Sequence, residues 1–188
     1  MTHYVDIKAV PPSEVTVPVV LNKVFSRFHK ALVQEDSPEL AVSFPKEGVK
    51  DTGSPLGDVI RVHGEEMSLK RFMETGWLGG MRDYVQAGMV KSVPSGAEHV
   101  AVRRVQVKSS MERVRRRQMK RHGYTEEEAR EKYPDSAEKR TRKPFINVKS
   151  GSTEHSFRLF IQQKRVNEPG EGGFNKYGLS KGGTVPLF

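Results

Sequence analysis

Apolar residues recur along the first half of the chain with two alternating periods. Val17, Val20, Leu21, Val24, Phe28, Ala31 and Leu32 fall at helical spacing, which predicts a helix over residues 17–34 with Pro18 in its first turn. Short β-rich runs predict strands at residues 3–10, 40–44, 59–63 and 90–93, each of the first two stopped by proline, and residues 84–87 also read as extended. Between them Asp51-Thr52-Gly53-Ser54-Pro55 reads as a turn. Ser68 is a candidate cap for a short helix carrying Leu69, Phe72 and Met73. The order is βαββαβ, so an α+β chain is expected whose residues 1–95 form a ferredoxin-like (RRM-like) domain with two helices on one face of an antiparallel sheet. Many functions use that fold, RNA recognition among them.

Beyond Pro94 the pattern changes. Residues 99–108 alternate as a strand, with Val105 and Val107 on the expected inner face and Arg104, Gln106 and Lys108 together on the other. Ser109 or Ser110 can cap a following helix in which Met111, Val114, Gln118 and Met119 gather as a packing stripe. Arg113, Arg116, Arg117 and Lys120 gather opposite as a basic ridge. Thr125-Glu126-Glu127-Glu128 is a capping box before a helix that Pro134 ends. Residues 145–149 and 156–163 read as a hairpin, and the glycine-rich tail from Gly170 contains enough apolar residues to be ordered. Residues 96–188 are therefore expected to be a second region built from an arginine-rich helix, a β-hairpin and that tail.

Charge gives this second region a purpose. Of the chain's formal net charge of +9, the stretch 103–122 holds nine Lys/Arg against one Glu, so the rest of the 188 residues nearly balance. So local a surplus is a footprint for a polyanion, because each cation at a phosphate releases condensed counterions. Seven of the nine are arginine, whose fork suits phosphate and guanine. The chain has no cysteine, which excludes disulfides and thiol chemistry. Its six histidines show no metal-ligand spacing, so no metal and no other cofactor is expected. No apolar run approaches the roughly 20 residues of a membrane span, and residues 1–10 do not read as a secretion signal. A cytoplasmic protein without membrane contact is expected.

Several stretches, in order, resemble the CRISPR repeat-RNA endoribonucleases of the type I-F system: ERVRRRQMKRH, TEEEAREKYPD, FRLFI, and the tail GGFNKYGLSKGGTVPLF. The likeness extends to HYVDI, VSFP, RVQVKS and the helix bearing His29. The resemblance implies a metal-independent endonuclease that cuts precursor CRISPR RNA at the 3′ base of the repeat stem-loop. The 2′-OH attacks, giving a 2′,3′-cyclic phosphate and a 5′-OH, and the enzyme stays on its product. It also implies other subunits of the surveillance complex as partners, with a monomer when free. By the same resemblance His29, Ser150 and Tyr177 are catalytic, Arg104 and Gln106 read bases at the foot of the stem, and Phe157 stacks on the terminal pair. The groove-lying helix contributes Arg113, Arg116, Arg117, Lys120, Arg121 and His122. Lys120 departs from the arginine usual there, and Glu154 and His155 depart in the hairpin turn.

The residue types suit that chemistry. RNA carries its own nucleophile, and imidazole, with an ordinary pKa of roughly 6.5, is suited to take the 2′-OH proton. His29 borders the apolar stripe of its helix, Ser150 falls in a turn with Ser152 as an alternative, and Tyr177 precedes Gly178 with its OH within expected reach of His29. Arg104 and Gln106, two apart on a strand, can read neighbouring bases where the deep groove of A-form RNA opens near a helix end. Lys108, Ser152 and Lys181 complete the expected RNA contacts, Lys181 in a glycine-rich segment that lets backbone approach phosphate. A non-catalytic RNA hairpin-binding subunit of the same fold, or a basic DNA-binding regulator, would use the same cations.

Overall fold

A computed structural model describes residues 1–37, 39–106, 111–137, 141–149 and 155–188. These form two compact units, residues 1–104 with 144–188, and residues 105–143.

In the larger unit, β1 (His3–Ala9) is the axis of the first sheet. It pairs antiparallel with β3 (Val59–Gly64) on one side and with β4 (Val85–Ala87) and β5 (Lys91–Ser92) on the other. The short β2 (Ala41–Ser43) completes the path β2-β3-β1-β4. Register places Val5 opposite Val62 and Ile7 opposite Ile60, all buried. Asp6 opposite Arg61 and Tyr4 opposite His63 occupy the other face. The edge strand differs from expectation. Residues 90–93 contribute only the two-residue β5, and β4 supplies the main pairing, extended by the Gly88 amide on the Asp6 carbonyl at 2.8 Å.

The helix α1 (Val17–Gln34) has the expected bounds, with Val20, Leu21, Val24, Phe25, Phe28, Ala31 and Leu32 buried. Helix α2 (Glu66–Glu74) starts earlier than Ser68. Glu65 is its N-cap through its extended backbone, and the Met1 amino group and the Thr2 hydroxyl hold the carboxylate at 3.3 and 2.8 Å. Those contacts draw the Glu65 carboxyl below its ordinary pKa, the Thr2 hydrogen bond most of all.

A second sheet has the order β11-β6-β8-β7, formed by β6 (Glu98–Val105), β7 (Phe145–Lys149), β8 (Ser156–Val166) and β11 (Val185–Leu187). The β7–β8 hairpin pairs Phe145 with Phe160 and Lys149 with Ser156. On β6 the inner residues are Val100, Ala101 and Val102; Val105 is only half-buried and Val107 lies outside the described residues. The apolar strand β11 pairs with Glu98–Val100 at the start of β6, away from its basic end. Gln163 links the two sheets: its amide bonds both the NH and the carbonyl of Phe44 at 2.8 Å. The tail forms a third, two-stranded sheet of β9 (Glu171–Phe174) and β10 (Ser180–Gly183).

The smaller unit holds α3 (Met111–His122), α4 (Glu126–Lys132) and a 3₁₀ turn at Asp135–Ala137. The Thr125–Glu128 capping box is formed in both directions, at 3.2 and 2.9 Å. The described residues thus make a mixed α/β architecture with four helices and antiparallel sheets. No helix among them is long and apolar enough to cross a membrane.

Candidate functional site

Because Phe25, Phe28 and Leu32 turn α1 inward, His29 is left half-buried at the margin of the apolar stripe. Its Nδ1 lies 2.5 Å from the carbonyl oxygen of Lys176 in the loop between β9 and β10. A carbonyl can only accept, so Nδ1 carries the hydrogen and, in the neutral ring, Nε2 carries the lone pair. From the sequence the Tyr177 hydroxyl is expected to bond the imidazole, but the contact is made by the ring instead. The Tyr177 ring stacks on that of His29, centroids 4.1 Å apart and planes 21° apart. The same phenol ring lies parallel to Phe25 at 6.4 Å. His29 is thus held at one nitrogen and over one face, with the other nitrogen left to act as a base.

Strand β7 leads toward the third expected catalytic position. Asn22 of α1, two turns before His29, accepts the amide of Asn147 at 2.9 Å and ties β7 to the helix. Ser150 and Ser152, and likewise Lys108, lie outside the described residues.

At the end of β6, Arg104 is exposed and its guanidinium lies 5.6 Å from the ring centroid of half-buried Phe157. Leu159 and Ile161 fill the core in place of Phe157, while Phe160 packs edge-on against Phe145 instead. Gln106 is exposed just past the strand. Lys181 is exposed on β10. The neighbouring glycines let the bulged β9–β10 strands close on each other, since a Cβ on Gly172 would stand 2.6 Å from the Gly182 backbone.

In the smaller unit, Arg113, Arg116, Arg117, Lys120, Arg121 and His122 are exposed, and Met111, Val114, Gln118 and Met119 are half-buried. The sequence reading omitted Arg115, which joins the packing side: it bonds the Tyr133 carbonyl and Asp135, both at 2.8 Å. Arg116 pairs with Glu112 at 2.9 Å across one exposed turn. His122 stacks on Tyr124, over which Lys132 also sits at 3.9 Å.

A second serine–histidine pair has the spacing of a nucleophile and its base: Ser43 Oγ and His63 Nε2 are 2.8 Å apart. Both side chains are wholly buried, so no substrate reaches them. Burial, with the Arg61 charge nearby, holds the His63 pKa down at about 3. Among the described residues no three His, Asp or Glu side chains gather to hold a metal ion. The Lys176 carbonyl and Asn22 have no signature of their own in the sequence; Asn175, three before a glycine, is the one turn signal that marks the loop.

The family described as CRISPR-associated protein (Cas_Csy4) matches residues 4–188. The chain belongs to this family. Similar proteins include the CRISPR-associated endonuclease Cas6/Csy4 of Pseudomonas aeruginosa (strain UCBPP-PA14), 40% identical over 189 positions covering all of both chains. The CRISPR-associated endonuclease Cas6/Csy4 of Escherichia coli (strain UTI89 / UPEC) is 36% identical, again over the full length of both. His29, Tyr177 and the basic α3 are therefore to be read as parts of a Csy4-family chain whose relatives bear the name of endonucleases.

Proposed function

We propose that this protein is an endoribonuclease that cuts precursor CRISPR RNA at the 3′ base of the repeat stem-loop without a metal ion and remains on the product. The observation that carries the reading is His29, oriented by the Lys176 carbonyl and the Tyr177 ring so that Nε2 is the base. Nε2 takes the proton of the ribose 2′-OH, the 2′ oxygen attacks the adjacent phosphorus, and the P–O5′ bond breaks. The products are a 2′,3′-cyclic phosphate and a 5′ oxygen that leaves as a hydroxyl once protonated. Positioning of the attacking oxygen in line contributes several kcal/mol of the barrier, and general-base catalysis about 10²–10⁴-fold. Tyr177 keeps the imidazole plane, and Ser150 is assigned to the sugar beside the cut.

The βαββαβ order and the path β2-β3-β1-β4 support a ferredoxin-like fold for residues 1–95, with residues 96–188 as the RNA-binding region. Arg104 and Gln106 read the base pairs nearest the cut, and Phe157, already in contact with Arg104, takes the terminal pair on its face. The exposed side of α3 (Arg113, Arg116, Arg117, Lys120, Arg121 and His122) binds the stem phosphates, with Lys108, Ser152 and Lys181 as further contacts. In the cell it acts in the cytoplasm, alone or with the other subunits of the type I-F surveillance complex.

The test is a repeat-derived stem-loop incubated with the protein in EDTA. Cleavage to a cyclic phosphate is expected, and His29→Ala is expected to abolish it while hairpin binding persists. Unchanged cutting by His29→Ala would reject the reading. Binding without any cleavage would leave an RNA-binding subunit, and preference for a DNA duplex would end the RNA assignment.

A further inference from the structure

The loop that orients His29 is itself built on one side chain. Asn175 Oδ1 accepts the amide of Tyr177 at 2.8 Å and the amide of Leu179 at 3.2 Å. The Asn175 backbone closes the same loop, its NH on the Leu179 carbonyl and its carbonyl on the Gly178 NH, both at 2.8 Å. Gly178, at φ +69°, makes the reversal, and its own carbonyl accepts the Val42 amide at 3.0 Å. Four hydrogen bonds therefore converge on Asn175, and the residue directly after it is the one whose carbonyl meets His29 Nδ1. The side-chain bond to the second amide along is an Asx turn, which sets the direction of the peptide between them. That peptide is Lys176–Tyr177, so a single amide oxygen aims both groups that hold the imidazole.

We propose that Asn175 is a positioning residue for cleavage: it selects the Nδ1–H tautomer of His29 by presenting the Lys176 carbonyl, and so frees Nε2 to receive the 2′-OH proton. The proposal rests on His29 acting as general base. In water neutral histidine favours the opposite, Nε2–H tautomer, which cannot accept a proton at Nε2, so a slack loop converts part of the protein into a form unable to start the reaction. No contact with RNA is required of Asn175. Its loss should therefore slow the chemical step and leave binding of the stem-loop unchanged. An aspartate has the same shape and still accepts both amides, so Asn175→Asp should restore what Asn175→Ala loses.

The experiment uses the full chain and the stem-loop RNA that the unaltered protein cuts. Single-turnover cleavage by Asn175→Ala should fall about tenfold or more, the effect of a displaced reacting group. Affinity for a 2′-deoxy, uncleavable stem-loop should be unchanged, and Asn175→Asp should cut at close to the unaltered rate. The ¹⁵N resonances of His29, recorded where the ring is neutral, should show Nδ1–H in the unaltered protein and in Asn175→Asp, and a shift toward Nε2–H in Asn175→Ala. Cleavage by Asn175→Ala at the unaltered rate, or slowed cleavage with the Nδ1–H form intact, overturns the proposal. If Asn175→Ala does not fold, the unaltered protein still decides, because a dominant Nε2–H form of His29 overturns it. A His29→Ala variant run beside these separates the two ideas. Should it cut, the base assignment fails; should it be inert while Asn175→Ala is fully active, only the positioning role fails.

Discussion

Gly178 lies against the ring of Phe28: a Cβ built on it would stand 2.9 Å from Cε1 and 3.1 Å from Cζ. Its φ of +69° is in the left-handed region, and its neighbours Lys176 and Tyr177 are the residues that hold His29. Gly178→Ala should thus meet both backbone strain and a ring that is itself fully buried. The expected loss of stability is about 2–4 kcal/mol from the two effects together. Cleavage should slow by more than the lost folded fraction explains. Urea unfolding, paired with cleavage rates under conditions where the variant is folded, checks both halves.

Arg61 holds the end of the tail to the first sheet. Its Nε and Nη2 fork onto Asp6 at 2.7 and 2.9 Å, Nη1 donates to the Phe188 main-chain oxygen at 3.1 Å, and the guanidinium lies over the rings of Tyr4 and Phe188, which meet edge-on beside it. Asp6 retains access to water, so the penalty of stranding it is moderated. Arg61→Met should cost about 2–3 kcal/mol, below the range for a wholly buried pair. Arg61→Lys should recover little of it, since one ammonium cannot fork and stack together. Thermal unfolding of the two variants checks the expectation.

His63 gives the protein an acid-labile core. Its folded pKa of about 3 lies below the ordinary 6.5, so between those values the unfolded chain binds a proton that the folded one refuses. Stability from this group is complete above pH 6.5 and falls as pH drops, by about 1.4 kcal/mol per unit, until the folded pKa is reached. His63→Gln has no such proton to take up. Its unfolding free energy should decline less steeply than that of the unaltered protein from pH 6.5 to 4, measured by urea denaturation across that range. Equal slopes would show that other groups govern acid unfolding.

Two arginines on neighbouring elements should separate specificity from affinity. Arg104→Ala should reduce discrimination at one base pair of the stem by about 1–3 kcal/mol. Arg117→Ala should weaken binding to all stem-loops alike and lower the salt dependence by about one counterion. Binding isotherms at several salt concentrations, with matched and single-pair-altered hairpins, distinguish the two behaviours.

On α3, Arg115 and Arg116 are adjacent in sequence but differ in setting. The Arg115 side chain is 13% exposed and docks the helix on Tyr133 and Asp135, while that of Arg116 is 78% exposed. Arg115→Ala should loosen the smaller unit by about 1–2 kcal/mol, seen as faster amide exchange along α3. Arg116→Ala should leave exchange nearly unchanged and act on RNA affinity.

Much of the architecture was legible before any coordinates because it depends on local rules. The apolar spacing from Val17 to Leu32 gave α1 to the residue, the Thr125–Glu128 box gave the start of α4, and alternation gave the β7–β8 hairpin. The errors occurred where distant chain overruled local preference. Helix α2 starts directly after Glu65, whose carboxylate Met1 and Thr2 hold, and the part of β6 beside β11 carries buried Val100 and Val102 while Val105 is only half-buried.

The site divides in the same way. Residue types and their periodicity alone placed His29 at a helix margin, grouped the exposed cations of α3 on one side, and marked the glycine-rich tail from Gly170 as ordered. Only the tertiary structure decided that the Lys176 carbonyl meets Nδ1, that Tyr177 offers its ring rather than its hydroxyl, that Arg115 packs inward, and that the Ser43–His63 pair is sealed from substrate. The physical reason is that periodicity and turn preference act over a few residues and reach the sequence as pattern. A main-chain acceptor 147 positions from its donor leaves no mark on the side chains that any such pattern could register.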